Sequence, residues 1–217
     1  SIDDSATVTI KSAGTSMWQI YDTINGVNGY KVSLTGDSNV NGNIKFFSGA
    51  LIKNAITTIT SVNVAITPNV FSDPNDVLKT NSGNIFLSDG AVNTYNITKL
   101  ESQSAAKYNI DMNLTGSGST DVIKLSDASS SGAIHISNIN FIDATEGTYT
   151  LKVLDTPGTA AYLELDSASV TKESGVTNPL VYWYEKIVQA RYTMSLVKQG
   201  TSFYNAIKVT VQHPSIS

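Results

Sequence analysis

The stretch from Tyr108 to Val153, YNIDMNLTGSGSTDVIKLSDASSSGAIHISNINFIDATEGTYTLKV, contains the most regular pattern in the chain. Apolar residues alternate with polar ones in short runs, namely Ile110/Met112/Leu114, Ile123/Leu125, Ile134/Ile136 and Tyr149/Leu151/Val153. Such alternation is typical of strands with one buried face, and the Gly, Ser, Asp and Asn between the runs favour tight turns. The stretch predicts a repeated strand-and-turn unit without a reactive site. The turns Gly116-Ser117-Gly118 and Ser129-Ser130-Ser131-Gly132 are predicted to set chain geometry, not to hold a ligand.

The same alternation of apolar and polar residues continues towards the N-terminus, where no window of the sequence shows convincing helical periodicity. Further short alternating runs are Ala6/Val8/Ile10, Val32/Leu34, Ile44/Phe46, Ala50/Ile52, Ile56/Ile59, Val62/Val64/Ile66, Ile85/Leu87 and Tyr95/Ile97. The segment VYWYEKIV, from Val181 to Val188, could form a short helix, but its aromatic content favours a strand. The sequence therefore predicts an all-β protein.

A partial internal repeat indicates how these strands are arranged. The stretch from Asn41 to Ala50, NGNIKFFSGA, resembles that from Ser82 to Ala91, SGNIFLSDGA, and Asn43 and Asn84 are 41 residues apart. This step fits two coils of about 20 residues in a repeat architecture. We therefore predict a right-handed parallel β-helix, or β-solenoid, with a C-terminal β-rich cap. A β-sandwich of short strands remains the alternative, because its hairpins would produce similar alternation.

Composition excludes several classes of function. Charged residues make up 15% of the chain, the net charge is −4 and Arg191 is the only arginine, so no basic stripe is available for nucleic acid. Cysteine is absent, which excludes disulfides and thiolate chemistry. The sequence has neither an apolar run of membrane-spanning length nor a basic N-terminal region followed by an apolar core. We expect an excised soluble fragment that does not insert into a membrane.

The C-terminal part is more aromatic. From about Asp155 onwards the side chains are larger on average. A bulky element at one end would protect the unpaired edge of a solenoid. The residues expected to pack this terminal element are Tyr182, Trp183, Tyr184 and Tyr192.

Two motifs near the N-terminus resemble functional sites only in part. The turn containing Ser16, GTSM, is similar to the nucleophile turn of subtilisin-like proteases. Those enzymes order their triad Asp, His, Ser, whereas His135 and His213 both follow Ser16. The segment from Asp37 to Gly42 copies the first half of a calcium loop, but Ser48 stands where the bidentate Glu is required. We interpret both segments as polar turns.

Later candidates are equally weak. Asp73 and Asp76 could form an acid–base pair, but the intervening Pro and Asn indicate an exposed turn. His135 lies between Ile134 and Ile136 and should point outward, without a second histidine to share a metal. Asn96 and Asn113 begin glycosylation sequons that arise easily by chance in an Asn- and Thr-rich chain. We predict a protein that is not an enzyme and has no catalytic, metal or cofactor-binding residues.

The order of several elements resembles the pertactin-like junction, or autochaperone region, of autotransporter passenger domains from Gram-negative bacteria. The segment from Ser119 to Leu125, STDVIKL, is similar to the family's "SDRLVV" element, and that from Ser131 to Ile136, SGAIHI, to its "SGxxxL" strand. Further elements in the family's order are Ile110–Leu114, Gly147–Val153 and Ala190–Leu196. Roughly half the chain is covered, and residues 1–107 resemble generic passenger coils.

This resemblance implies β-helix coils over residues 1–107 and a junction or autochaperone-like region over residues 108–217. The implied protein is a passenger of type V secretion on the bacterial outer-membrane surface, where it serves as a stalk, an adhesin or a virulence factor. Its own outer-membrane β-barrel would lie elsewhere in the full-length protein. The C-terminal part would fold first and promote folding and translocation of the coils.

A second hypothesis is an adhesive module of another surface protein, such as a surface-layer β-sandwich. Polar ladders and the aromatic residues Trp18, Tyr21 and Tyr30 could contact a glycan or a host surface protein. The sequence does not distinguish this role from that of a stalk.

Overall fold

The computed structural model describes residues 7–15, 17–37, 42–166, 171–177 and 187–212 of the chain. Within these ranges the chain forms strands and no helix, so no described helix could cross a membrane. The strands are β1 (Thr7–Ser12), β2 (Met17–Ile20), β3 (Ile24–Gly36), β4 (Gly42–Phe46), β5 (Ile52–Thr60), β6 (Val62–Ala65), β7 (Val77–Thr80), β8 (Gly83–Phe86), β9 (Thr94–Ile97), β10 (Lys99–Ser102), β11 (Ala106–Leu114), β12 (Ser119–Thr120), β13 (Val122–Leu125), β14 (Ser131–Ala144), β15 (Gly147–Lys152), β16 (Leu154–Asp155), β17 (Ala161–Leu165), β18 (Thr171–Thr177), β19 (Ile187–Val197) and β20 (Ala206–Gln212).

Parallel pairing between successive coils organises most of the molecule. One stack contains β1, β3, β5, β7 and β10, a second contains β2, β4, β6, β8 and β11, and the long strand β14 joins the two stacks. A third stack contains β9, β13 and β16. The result is a β-solenoid of about six turns. The predicted all-β solenoid is confirmed, and the sandwich alternative does not describe this sheet.

The internal repeat has the predicted physical basis. Asn43 pairs in register with Asn63, which pairs in register with Asn84. The 41-residue step therefore spans two coils, and the interpretation of the repeat is confirmed. Their side chains form an asparagine ladder: Asn63 Nδ2 donates to Asn43 Oδ1 over 3.2 Å, and Asn84 Nδ2 donates to Asn63 Oδ1 over 2.9 Å.

Apolar side chains fill the inside of the coils between β3 and β17. Buried residues align from coil to coil, as in the column formed by Ile44, Val64, Ile85 and Tyr108. Alternate residues of each strand point inward, so each coil buries its apolar side chains against those of the next. This continuous core is the principal source of stability, because burial of apolar surface is the dominant favourable term in folding.

The C-terminal end carries a second, antiparallel sheet in the order β15, β20, β19, β18. Strand β15 lies in the chain between solenoid strands β14 and β16, so the two structures are interleaved. The predicted β-rich cap is present. Residues 107 and 108 lie within solenoid strand β11, and other solenoid strands precede and follow it. The proposed division of the chain into two regions at this point stays a prediction. Of the segment Val181–Val188, residues 187 and 188 belong to β19, and the remainder lies outside the described residues.

Candidate functional site: the junction between solenoid and C-terminal sheet

Aromatic and aliphatic side chains join the C-terminal sheet to the last coils. The ring of Phe141, on β14, stacks on that of Tyr192, on β19, with 4.0 Å between centroids and 2° between planes. Tyr192 is 3% exposed, and Tyr149, Met194 and Val209 of the same sheet are also buried. The predicted packing role of Tyr192 is therefore confirmed. Tyr182, Trp183 and Tyr184 lie outside the described residues.

Asn205 links two parts of the junction. Its carbonyl oxygen accepts the backbone N–H groups of Val153 and Leu154 at 2.9 and 3.0 Å. Its side chain accepts from the backbone N–H of Gln199 at 2.8 Å and donates to the carbonyl of Gln199 at 3.0 Å. Asn205 is 0% exposed. One residue therefore holds the turn before β20 in shape and binds that turn to the end of the third stack.

A neighbouring hydrogen bond extends this link to the last solenoid strand. The backbone N–H of Leu163, on β17, donates to the carbonyl of Tyr204 over 2.9 Å. The turn that contains Asn205 therefore contacts both β16 and β17. Sequence reasoning missed this role, because an Asn before an apolar strand also occurs in any surface turn.

Two buried carboxylates brace the corner beside the junction. Asp121 accepts the backbone N–H groups of Asp111 and Asn93, each at 2.8 Å. Asp111 accepts those of Asp89 and Gly90 at 2.8 and 2.9 Å. Burial raises the pKa of Asp121 to about 7, although its two backbone donors favour the charged form, and the charges of Asp111 and Asp89 add to the increase.

The predicted turn at Asp73 and Asp76 is exposed only in its middle. Pro74 and Asn75 face solvent, whereas Asp76 is 2% exposed. The carboxylate of Asp76 turns inward and accepts the backbone N–H groups of Asp73 at 3.2 Å and Ala55 at 3.4 Å. Burial raises its pKa to about 7. The expectation of an exposed turn was wrong for Asp76, because its carboxylate holds the turn onto the previous coil.

His135 points outward as predicted, while Ile134 and Ile136 are 0% exposed. The histidine ring lies between Glu164 and Asp166, a cluster that the sequence did not indicate because the three residues meet only through register. No group of three or more histidine and acidic residues suited to a metal ion occurs among the described residues.

Two of the three aromatic residues that were predicted to lie at the surface are exposed. Trp18 and Tyr21 are 50% and 57% exposed. Tyr30 is 7% exposed and belongs to the core, so its predicted surface role was wrong. It precedes Val32 and Leu34 at the same two-residue spacing, which places it on the inner face of β3.

Asn96 and Asn113, which begin the two glycosylation sequons, are half-buried. Ser16, residues 38–41 and His213 lie outside the described residues.

Comparison of the chain with known protein families, with curated proteins and with solved structures finds no match. The structure itself defines a β-solenoid whose C-terminal end is joined to an antiparallel sheet.

Proposed function

We propose that this chain is part of a passenger of the autotransporter kind on the surface of a bacterium, and that its C-terminal sheet is the template on which the solenoid folds. The junction around Asn205 carries this proposal, because it joins the last coils to a sheet with its own buried face. The β-solenoid and the order of the sequence elements are compatible with such a passenger.

The position of the antiparallel sheet supports a direction of folding. This sheet packs on the last coils of the described solenoid, through the stacking of Phe141 on Tyr192 and the backbone hydrogen bonds to Asn205. Since each coil is stabilised by its neighbours, a template at the C-terminal end would let coils add towards the N-terminus. In secretion, such folding outside the cell would draw the chain outward without ATP.

Refolding kinetics test the template directly. Asn205→Ala removes the two side-chain hydrogen bonds to Gln199 that hold the junction turn before β20 in shape, and it should cost about 1–3 kcal/mol. Ile44→Ala should cost about 2–5 kcal/mol in a distant coil. We expect Asn205→Ala to slow folding with a φ-value above about 0.5 and Ile44→Ala mainly to speed unfolding. The opposite pattern in a stopped-flow chevron analysis would overturn the template role.

Secretion requires a separate assay. The chain would be fused before an outer-membrane barrel, and surface display would be measured by the accessibility of an epitope to added protease. Asn205→Ala should reduce display more than Ile44→Ala, although Ile44→Ala is expected to cost as much stability or more. Equal display of both variants would contradict a role of the junction in translocation.

An adhesive role is the second candidate, and the exposed rings at the N-terminal end favour it. Tyr21 stacks on Phe47 with 4.3 Å between centroids, and Lys45 Nζ lies 4.8 Å from the centre of the Phe47 ring. Aromatic faces beside polar groups suit a glycan or a host surface protein. On a glycan array Tyr21→Ala should abolish any signal, whereas Tyr162→Ala, which removes an exposed ring from β17, should not. Absence of any glycan or host-cell binding would remove this candidate.

A further inference from the structure

His135 is held between two carboxylates on the outside of the last coils. Its Nδ1 lies 3.1 Å from Oε2 of Glu164, and its Nε2 lies 3.3 Å from Oδ2 of Asp166. The three side chains are 20%, 33% and 29% exposed. His135 and Glu164 are register partners in the parallel pair β14 and β17, so both contacts cross from one coil to the next.

Chemistry limits which protonation state completes this cluster. An ionised carboxylate only accepts hydrogen bonds, and a neutral imidazole donates from only one of its two nitrogens. The ring can therefore donate to Glu164 and Asp166 together only as the imidazolium. The neutral ring would turn a lone pair towards one of the carboxylates.

Ser104 and Lys107 are further polar groups beside the cluster of His135, Glu164 and Asp166. The hydroxyl of Ser104 lies 2.9 and 2.8 Å from the two carboxylate oxygens of Glu164. On the other side of His135, its register partner on β11 is Lys107, which is exposed. Among the side chains that the structure describes, His135 therefore faces two acids from the β17 side and one cation from the β11 side.

The contacts of His135 with Glu164 and Asp166 affect the junction because of where β17 lies. Within the described residues, β17 pairs only with β14, and its Leu163 is bonded to the turn that contains Asn205. Loosening of β17 would therefore reach the junction with the C-terminal sheet.

We propose that His135 is a pH-dependent lock between the last two solenoid strands. The imidazolium binds β17 to β14 through Glu164 and Asp166, and loss of its proton releases one of the two carboxylates. Histidine is the side chain whose charge ordinarily changes between about pH 5 and 8, so acid tightens the lock and alkali loosens it. This inference does not depend on the proposed function.

Hydrogen exchange of the β17 amides at pH 5.5 and 8.0, corrected for intrinsic exchange rates, tests the lock. In the wild type we expect protection to fall by about tenfold between these values, as for loss of one charge-assisted hydrogen bond. His135→Gln should lower protection at pH 5.5 and remove most of this decrease. Ser104→Ala, the matched control, keeps both histidine contacts and should retain the pH dependence.

Titrating groups outside the cluster are the same in every variant. A difference between variants in the pH dependence of β17 protection therefore comes from the contacts of His135. Should His135→Gln not fold, Asp166→Asn provides the second test, because it removes one charged acceptor and should reduce the pH dependence. Unaltered pH dependence in His135→Gln, or in Asp166→Asn, would overturn the proposal.

Discussion

At the scale of single residues, Gly132 shows why a coil corner needs glycine. Its φ of +94° lies in the left-handed region, and a Cβ at this position would collide with the carbonyl oxygen of Ser102 in the previous coil. Gly118 has a φ of +82°, and a Cβ there would press on the ring of Tyr149. The prediction that these two turns set chain geometry is confirmed.

Gly132→Ala should therefore destabilise the fold more than a glycine substitution in open space. Gly49 is the matched control, because its φ is +89° and a Cβ there would contact nothing within 4 Å. Gly49→Ala should cost only the backbone strain, about 1–2 kcal/mol. Gly132→Ala should cost about 1–3 kcal/mol more, because the clash adds to that strain. Equal urea midpoints for the two variants would show that the corner relaxes freely.

The buried carboxylates predict how stability varies with pH. Asp76 and Asp121 each have a folded-state pKa of about 7, against an ordinary value of 3.8. Between these values the folded chain keeps protons that the unfolded chain releases. The stabilisation is complete below pH 3.8 and is lost as the pH rises through 7, by about 1.4 kcal/mol per pH unit for each group.

Asp121→Asn should remove one of these two contributions. Urea unfolding at several values between pH 4.5 and 6.5 would give the slope of the unfolding free energy with pH, which should be smaller in the variant than in the wild type. At pH 4.5 the variant should also be less stable by about 1–3 kcal/mol, because its amide group faces a backbone N–H donor. An unchanged slope would show that Asp121 is ionised throughout this range.

At the scale of elements, the asparagine ladder links β4, β6 and β8 by side chains as well as by backbone. Asn63 donates one N–H to Asn43, and Asn84 donates one N–H to Asn63. Asn63 both accepts and donates, whereas Asn43 only accepts from another rung. The direction of the ladder therefore makes its positions unequal.

Replacement by aspartate separates these positions. Asp can still accept a hydrogen bond but cannot donate one at neutral pH. Asn63→Asp should cost about 1–3 kcal/mol, since two acceptors would face each other. Asn43→Asp keeps its acceptor and should change stability by less than about 0.5 kcal/mol. Thermal unfolding of both variants at pH 7 measures the difference, and equal losses would contradict the donor order.

At the scale of the whole molecule, the solenoid has one capped end and one end with exposed apolar side chains. We expect native-state hydrogen exchange to be slower in β19 and β20, which each pair with two strands, than in β1 and β2, which among the described residues pair with one strand each. Strands with a partner on one side only have fewer contacts to break and open at lower free energy. Earliest opening in residues 155–217 would contradict both this gradient and the template role.

Much of the secondary structure was predictable because alternation is a local property. The runs at Ile44, Ile85, Ile110 and Ile123 all lie in strands of the structure. Strands β2, β7, β10, β16, β17, β18 and β20 were missed. Strands β7 and β10 are four residues long, and in each an outward lysine or glutamate leaves too few apolar residues for a recognisable alternation. These two strands are identified only by their pairing with neighbouring strands.

By itself, the sequence determined the all-β class and the two-coil step between Asn43 and Asn84, because residue alternation and turn composition act over a few neighbours. Only the tertiary structure decided the pairing, since register partners are 21 residues apart at Ile56 and Val77 but 30 apart at Glu101 and Ser131. It also decided the burial of Asp121 and the cluster around His135. Their partners come from other coils, and the strength of an electrostatic contact depends on distance and burial in three dimensions.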